Sequence, residues 1–164
     1  MNVKRWIYRR VEPLAGYAGW GLMLAVLLAF LPAAAWAGQG AMVCVTAPRA
    51  ELRQGPSLDF PVTWVVMRNM PLLTLAEEGL WLKVRDVDGE THYVPKVLVS
   101  DKASCATVNA AFASVYKGPS STKPKWHAVT HYTVFPRLGE EGGWIKVGQQ
   151  GEEELFIRKG DLWP

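Results

Sequence analysis

Sixty-three positions separate two versions of one segment, and that spacing limits the possible folds more than any other feature. Glu77-Glu78-Gly79-Leu80-Trp81-Leu82-Lys83-Val84 returns as Glu140-Glu141-Gly142-Gly143-Trp144-Ile145-Lys146-Val147. The same offset lays Gly55-Pro56-Ser57 on Gly118-Pro119-Ser120 and Tyr93-Val94 on Phe156-Ile157. Aligned without gaps, residues 45–101 and 108–164 are identical at 16 of 57 positions. Unrelated chains of average composition match at roughly 6%. A fixed period signals repeated structural units. The 164 residues, enough for one ordinary domain, therefore divide into two small ones, residues 43–100 and 105–164. Domains of that size bury only about 60% of their unfolded surface. Each needs dense packing, support from its twin or a covalent staple.

Within each copy the residue types favour short strands. Thr63-Trp64-Val65-Val66-Met67 and Pro71-Leu72-Leu73-Thr74-Leu75 are β-rich. Trp81 to Asp86 reads as a strand with Trp81 and Lys83 on one face and Leu82 and Val84 on the other. Glu77-Glu78-Gly79 and Asp88-Gly89 are hairpin turns, and Thr91-His92-Tyr93-Val94 is the returning strand. Pro95 to Leu98 reads as one helical turn. The second copy repeats the plan with Lys125 to Val129, Thr133 to Phe135 and Leu162-Trp163. Short strands separated by regular turn signals indicate an all-β fold, a small barrel or sandwich per copy.

Residues 1–37 are of another kind. Lys4, Arg5, Arg9 and Arg10 precede an apolar run centred on Gly21 to Leu31; Pro32 breaks it, and Ala35-Trp36-Ala37 offers small residues for a peptidase. This pattern is an export signal. The alternative is an uncleaved anchor, since Tyr17 to Trp36 is a charge-free run of 20, enough to span a bilayer. Both readings put the remainder outside the cytoplasm: periplasmic or secreted, or held to the inner membrane through residues 1–37. The net charge of +3 belongs to the leader, because residues 38–164 hold 14 basic and 14 acidic side chains. A neutral mature chain lacks the electrostatic footprint of a nucleic-acid binder.

Leu52-Arg53-Gln54-Gly55-Pro56-Ser57, then Trp81-Leu82-Lys83-Val84, then Asp86-Val87-Asp88-Gly89 and Tyr93-Val94 resemble the bacterial SH3-like (SH3b) domain. The stretch Phe60 to Val65 is similar to the secreted tandem type of Gram-negative bacteria. The resemblance spans residues 43–163. It implies two tandem SH3-like β-barrels of five to six strands, with no catalysis or cofactor of their own. It implies cell-wall peptides, peptidoglycan above all, as partners. The alternative is a periplasmic adaptor or assembly factor that binds an envelope protein. The sequence departs from the family where His92-Tyr93-Val94 and Glu153-Glu154-Leu155-Phe156-Ile157 replace a Gly-Trp-Val return.

Cys44 and Cys105 are the only cysteines, and each opens a copy. In an oxidising compartment they form one disulfide between the copies or stay as two buried thiols. His127 and His131 fall four apart, a metal spacing on a helix but not in this β-like segment, with no local acidic or thiol partner. No metal site is expected, and no nucleophile elbow or phosphate loop is present. The aromatic residues carry the binding expectation, because SH3-type domains grip extended ligands in aromatic clefts. Tyr93, Tyr116 and Trp126 suit a partly exposed groove. Trp81 and Trp144 are candidates too, although their recurrence in both copies favours core positions. Glu152-Glu153-Glu154 reads as a solvated edge that blocks sheet-to-sheet pairing.

Overall fold

A computed structural model describes residues 40–149 and 152–164. The expected leader, residues 1–37, lies outside the described residues. The first half contributes strands β1 (Met42–Val45), β2 (Arg49–Arg53), β3 (Val62–Met67), β4 (Pro71–Glu78), β5 (Trp81–Arg85), β6 (Thr91–Pro95) and β7 (Val99–Ser100). The second contributes β8 (Cys105–Val108), β9 (Phe112–Tyr116), β10 (Lys125–Thr130), β11 (Val134–Glu141), β12 (Trp144–Gln149), β13 (Glu152–Arg158) and β14 (Leu162–Trp163). A 3-10 turn follows β6 and another follows β13; no α-helix occurs among the described residues.

The strands form two antiparallel sheets with one connectivity. Their orders are β3-β2-β6-β5-β4-β1-β7 and β10-β9-β13-β12-β11-β8-β14. The backbone frame repeats bond for bond. Val45 N–H donates to Met70 O at 3.0 Å, and Val108 N–H to Thr133 O at 2.9 Å. Gln54 N–H reaches Pro61 O at 3.1 Å, as Lys117 N–H reaches Pro124 O at 3.0 Å. Lys96 N–H to Leu80 O and Lys159 N–H to Gly143 O are both 2.9 Å. The hairpin glycines expected from sequence hold positive φ, +58° at Gly79 and +54° at Gly142, a region closed to most side chains.

Closed barrels, expected from the resemblance, are not what the ladders form. Each sheet is open, ending on β3 and β7 or on β10 and β14. Closure needs a ladder between the end strands, and among the described residues β7 and β14, each two residues long, pair with β1 and β8 alone. Each half encloses its own core. Leu52, Val66, Leu72, Leu82, Val84 and Val94 lead the first; Val115, Val129, Phe135, Ile145, Val147 and Ile157 lead the second. These six pairs all stand 63 residues apart.

A disulfide joins the halves, Cys44 to Cys105, with S–S 2.03 Å and Cα–Cα 6.0 Å. The cysteines are 61 residues apart rather than 63. Cys105 therefore faces Pro136 where the matching position in the first half, Met42, faces Leu73. The bridge thus joins positions two rungs apart rather than equivalent ones. A second link is Tyr132, whose φ of +66° is costly for a bulky residue. Its counterpart, Asn69, takes φ +68° in the same turn, a conformation asparagine tolerates. The ring of Tyr132 packs edge-on against Trp64 at 5.1 Å, and its hydroxyl donates to Asp88. Those contacts hold the strained backbone in place.

Candidate ligand-binding face

Strand alternation decides which side chains reach solvent. In β5, Leu82 and Val84 are buried while Trp81 and Lys83 are half-buried on the outer face. In β6, Tyr93 and Pro95 alternate with buried His92 and Val94. In β2, Arg49, Glu51 and Arg53 alternate with buried Ala50 and Leu52. The register sets Arg53 beside Tyr93, Tyr93 beside Lys83, and Trp81 beside Pro95. The first half thus presents an aromatic and basic outer face. Trp81 lies outside the core, as does Trp144, because the alternation that buries Leu82 and Ile145 turns the preceding tryptophan outward.

Fixed charges frame this face. The Arg53 guanidinium donates to the carbonyls of Leu58 at 2.9 Å and Phe60 at 2.7 Å and pairs with Glu51 at 2.6 Å. It holds the Gly55-to-Phe60 loop in place. Glu51, Arg49, Leu58, Pro95 and Leu98 complete a hollow of about 410 Å³ beside it. The Tyr93 hydroxyl donates to Glu78 at 3.2 Å; partial burial, then that carboxylate, raises the phenol above its ordinary value.

The matching face of the second half carries Tyr116, Lys146, Trp144 and Arg158, with Phe156 between them covered to 4% exposure. Tyr116 and Trp144 meet edge-to-face at 5.3 Å, and Arg158 lies 5.5 Å over the Trp144 ring. Trp144, Arg158, Gly143, Gly160 and Asp161 line a second hollow of about 500 Å³. Lys146 pairs with Glu154. Glu140 bonds Lys159 at 2.6 Å and Arg137 at 2.7 Å; the lysine first, then the arginine, holds its carboxyl below the usual range.

Of the five aromatic candidates, four lie on these outer faces: Trp81 and Tyr93 on one, Tyr116 and Trp144 on the other. Trp126 does not join them. It sits in a β-bulge, half-buried, packed against the second core and against His127 with 3.5 Å between ring centroids. The bulge, invisible to simple alternation, turned its side chain inward.

Sequence reasoning missed a buried polar network beneath the first face. His92 donates from Nε2 to Asp86 at 3.0 Å, and its Nδ1 lies 2.7 Å from the Thr63 hydroxyl, which also reaches Leu52 O. Asp86 further accepts the amides of Asp88 at 3.0 Å and Glu90 at 2.8 Å. Asp86 and His92 are only 4% and 8% exposed. The available signal was the offset itself: it sets His92 against Leu155, Thr63 against Trp126 and Asp86 against Gln149. Three polar residues are exchanged together. His131 belongs to the junction between the halves, 3.4 Å from Asp88 and bonded to Asn109 O at 3.1 Å.

Residues 46–101 match the family model of the bacterial SH3 domain. That segment holds most of the first sheet and the whole of its aromatic face. Among solved structures, the chain is similar to NlpC2 and NlpC1 from Trichomonas vaginalis, each at 15% identity over 79% of this chain, with TM-scores of 0.35. It is also similar to an NlpC/P60 family protein from Bacillus cereus, at 14% identity over 74% of this chain, TM-score 0.35. The chain spans 49%, 47% and 55% of those three chains. No curated protein matches it.

Proposed function

We propose that this is a non-catalytic exported binding protein with two tandem SH3b domains, which recognises peptidoglycan or peptides derived from it. The observation that carries the reading is the outer-face row Tyr93, Lys83 and Trp81, with the paired Arg53 at its end, inside the segment that matches the bacterial SH3 domain. Flat rings flanked by cations suit an extended peptide that bears carboxylates. The second sheet counts as the second domain because its strand order and hydrogen-bond frame repeat at the 63-residue offset. The basic-then-apolar leader supports export, and the Cys44–Cys105 bridge fits an oxidising compartment.

Thr63, His92 and Asp86 superficially suggest a hydrolytic relay. Their arrangement favours a structural part. The Thr63 hydroxyl is shared with Leu52 O, and His92 and Asp86 lie sealed beneath the sheet. Retention on purified sacculi tests the binding reading. Wild-type chain is expected to sediment with sacculi at low salt, and Trp81→Ala with Trp144→Ala to reduce the bound fraction at least ~10-fold. Equal retention of wild type and double variant would remove the outer faces from the account. An adaptor for an envelope protein is the second reading, favoured by exposed Leu58 and Phe60.

A further inference from the structure

We infer that the free edge of β3 is a self-association surface, on which a second copy of this chain lays its own β3 antiparallel. This goes beyond the ligand reading and does not depend on it, because the edge lies outside the row of Trp81, Tyr93 and Arg53.

The first observation is an internal control. Leu58, Phe60, Val62, Val65 and Met67 are 37 to 71% exposed. At the 63-residue offset the second half places Ser121, Lys123, Lys125, Ala128 and Thr130, all exposed as well. The frame around the two sets is the same. Phe60 N–H bonds Ser57 O at 3.3 Å, and Lys123 N–H bonds Ser120 O at 3.2 Å. Even the glycine each covers is the same: a Cβ on Gly55 would meet the Phe60 ring at 2.6 Å, and one on Gly118 would meet Lys123 Cγ at 2.9 Å. A lysine stem thus fills the role that Phe60 fills. The fold does not require five apolar side chains here, and a contiguous exposed apolar set on one strand and its loop marks an interaction surface.

The second observation is the edge itself. Among the described residues β3 pairs with β2 alone and stands at the end of its sheet. The shift between Leu52 and Arg53 gives β3 an extra residue, Thr63. Val62, Val65 and Met67, paired with Arg53, Glu51 and Arg49, consequently share the outer face. Val62 to Met67 carries no charge and no proline, the features that normally guard an edge. The matching strand β10 begins with Lys125 and has that guard.

The occupant follows from charge and symmetry. An uncharged edge suits an uncharged edge, and residues 38–164 carry 14 basic and 14 acidic side chains, so no net repulsion keeps two copies apart. A two-fold axis through Val65, perpendicular to the sheet, sets Val65 against its own copy, Met67 against Thr63 of the other chain, and Val62 at the end of the ladder beside the exposed Arg68. No charged pair is buried. A ladder of five residues per strand, Thr63 to Met67, is a small contact, so the dimer is weak and concentration-dependent.

Val65→Cys in the full chain tests this directly, with Ala128→Cys as the matched control. On non-reducing gels of cells producing each variant, Val65→Cys is expected to give a reducible band of dimer mass at least ~10-fold stronger than Ala128→Cys. In parallel, sedimentation of purified full chain should show a dimer that Val65→Lys weakens at least ~10-fold and Ala128→Lys leaves unchanged. Equal cross-linking of the two cysteine variants would overturn the proposal. So would a wild-type chain that stays monomeric at all concentrations, or capture of Val65→Cys by a different protein in place of the dimer.

Discussion

His92 and Leu155 occupy the same place in the two halves and fill it by opposite means. In the first half a buried imidazole is bonded to Asp86 and Thr63. In the second a leucine with no measurable exposure packs in the core, with Trp126 in the bulge where Thr63 stands in the first. Both solutions sit inside the same ladder, Val84 beside His92 and Val147 beside Leu155. A satisfied polar network and a close-packed apolar one therefore serve the same backbone. The exchange works only as a set, because each partner left behind in a core without its mate costs a buried, unsatisfied group. The surfaces follow the same pattern: β3 is apolar where β10 is lysine-led, and Arg53 stands where Tyr116 does. The frame is held constant and the side-chain chemistry varies on it.

The covalent link should give the largest effect. Replacing both cysteines by alanine removes a cross-link over 61 residues, worth about 4 kcal/mol in the chain-entropy model when both halves unfold together. Denaturant unfolding is expected to lose about that much and to resolve two transitions, one per half. A single transition at unchanged midpoint would show that the halves depend on each other through packing alone.

Moving the polar residue without its partners comes next. Leu155→His places an imidazole where Trp126 supplies no acceptor and Gln149 is exposed, at a cost of about 2–4 kcal/mol. His92→Leu leaves Asp86 its two amide donors and Thr63 its bond to Leu52 O, and should cost about 1–2 kcal/mol, from the carboxylate's lost imidazole partner. Equal costs would mean that the two cores are interchangeable residue by residue.

Much of this was legible in the sequence. The offset, the two hairpin glycines and the alternation of Trp81 to Val84 depend on local backbone chemistry, which residue type reports directly. The expected disulfide was legible from cysteine count and compartment, with two free thiols left open; the two-residue displacement of Cys105 was in the numbering. What could not be read were consequences of the bulges. One extra residue at Thr63 and at Trp126 reverses inside and outside for part of a strand, so Trp126 points inward and Val62 outward. Closure was not legible either, because a two-residue strand such as β7 leaves no pattern. The network of His92 has no local signature; its partners lie 29 and 6 residues away in sequence.

A smaller effect lies at the turn. Asn69→Tyr puts a bulky residue at φ +68° without the Trp64 and Asp88 contacts that Tyr132 enjoys, and should destabilise the first half by about 1–3 kcal/mol. Tyr132→Asn relieves the strain but loses the contacts, and is expected to be nearly neutral for the second half while freeing the two halves to move. Relaxation measurements on labelled protein would show separate tumbling; unchanged joint tumbling would assign the junction to the disulfide alone.

The smallest effect is a pH dependence. The Tyr132 hydroxyl is raised above 10.0 by its bond to Asp88 first and partial desolvation second. A raised folded value means that its contribution is complete below pH 10 and is lost as pH climbs through that raised value. The stability difference between wild type and Tyr132→Phe should shrink across that alkaline window and stay level below it.

The decisive measurement is a titration of labelled chain with a soluble peptidoglycan fragment, followed through the tryptophan indole N–H signals. The account predicts that the Trp81 and Trp144 signals move, while those of Trp64 and Trp126 stay in place. Shifts confined to Trp64 and Trp126, or no shift at any indole at saturating fragment, would contradict it.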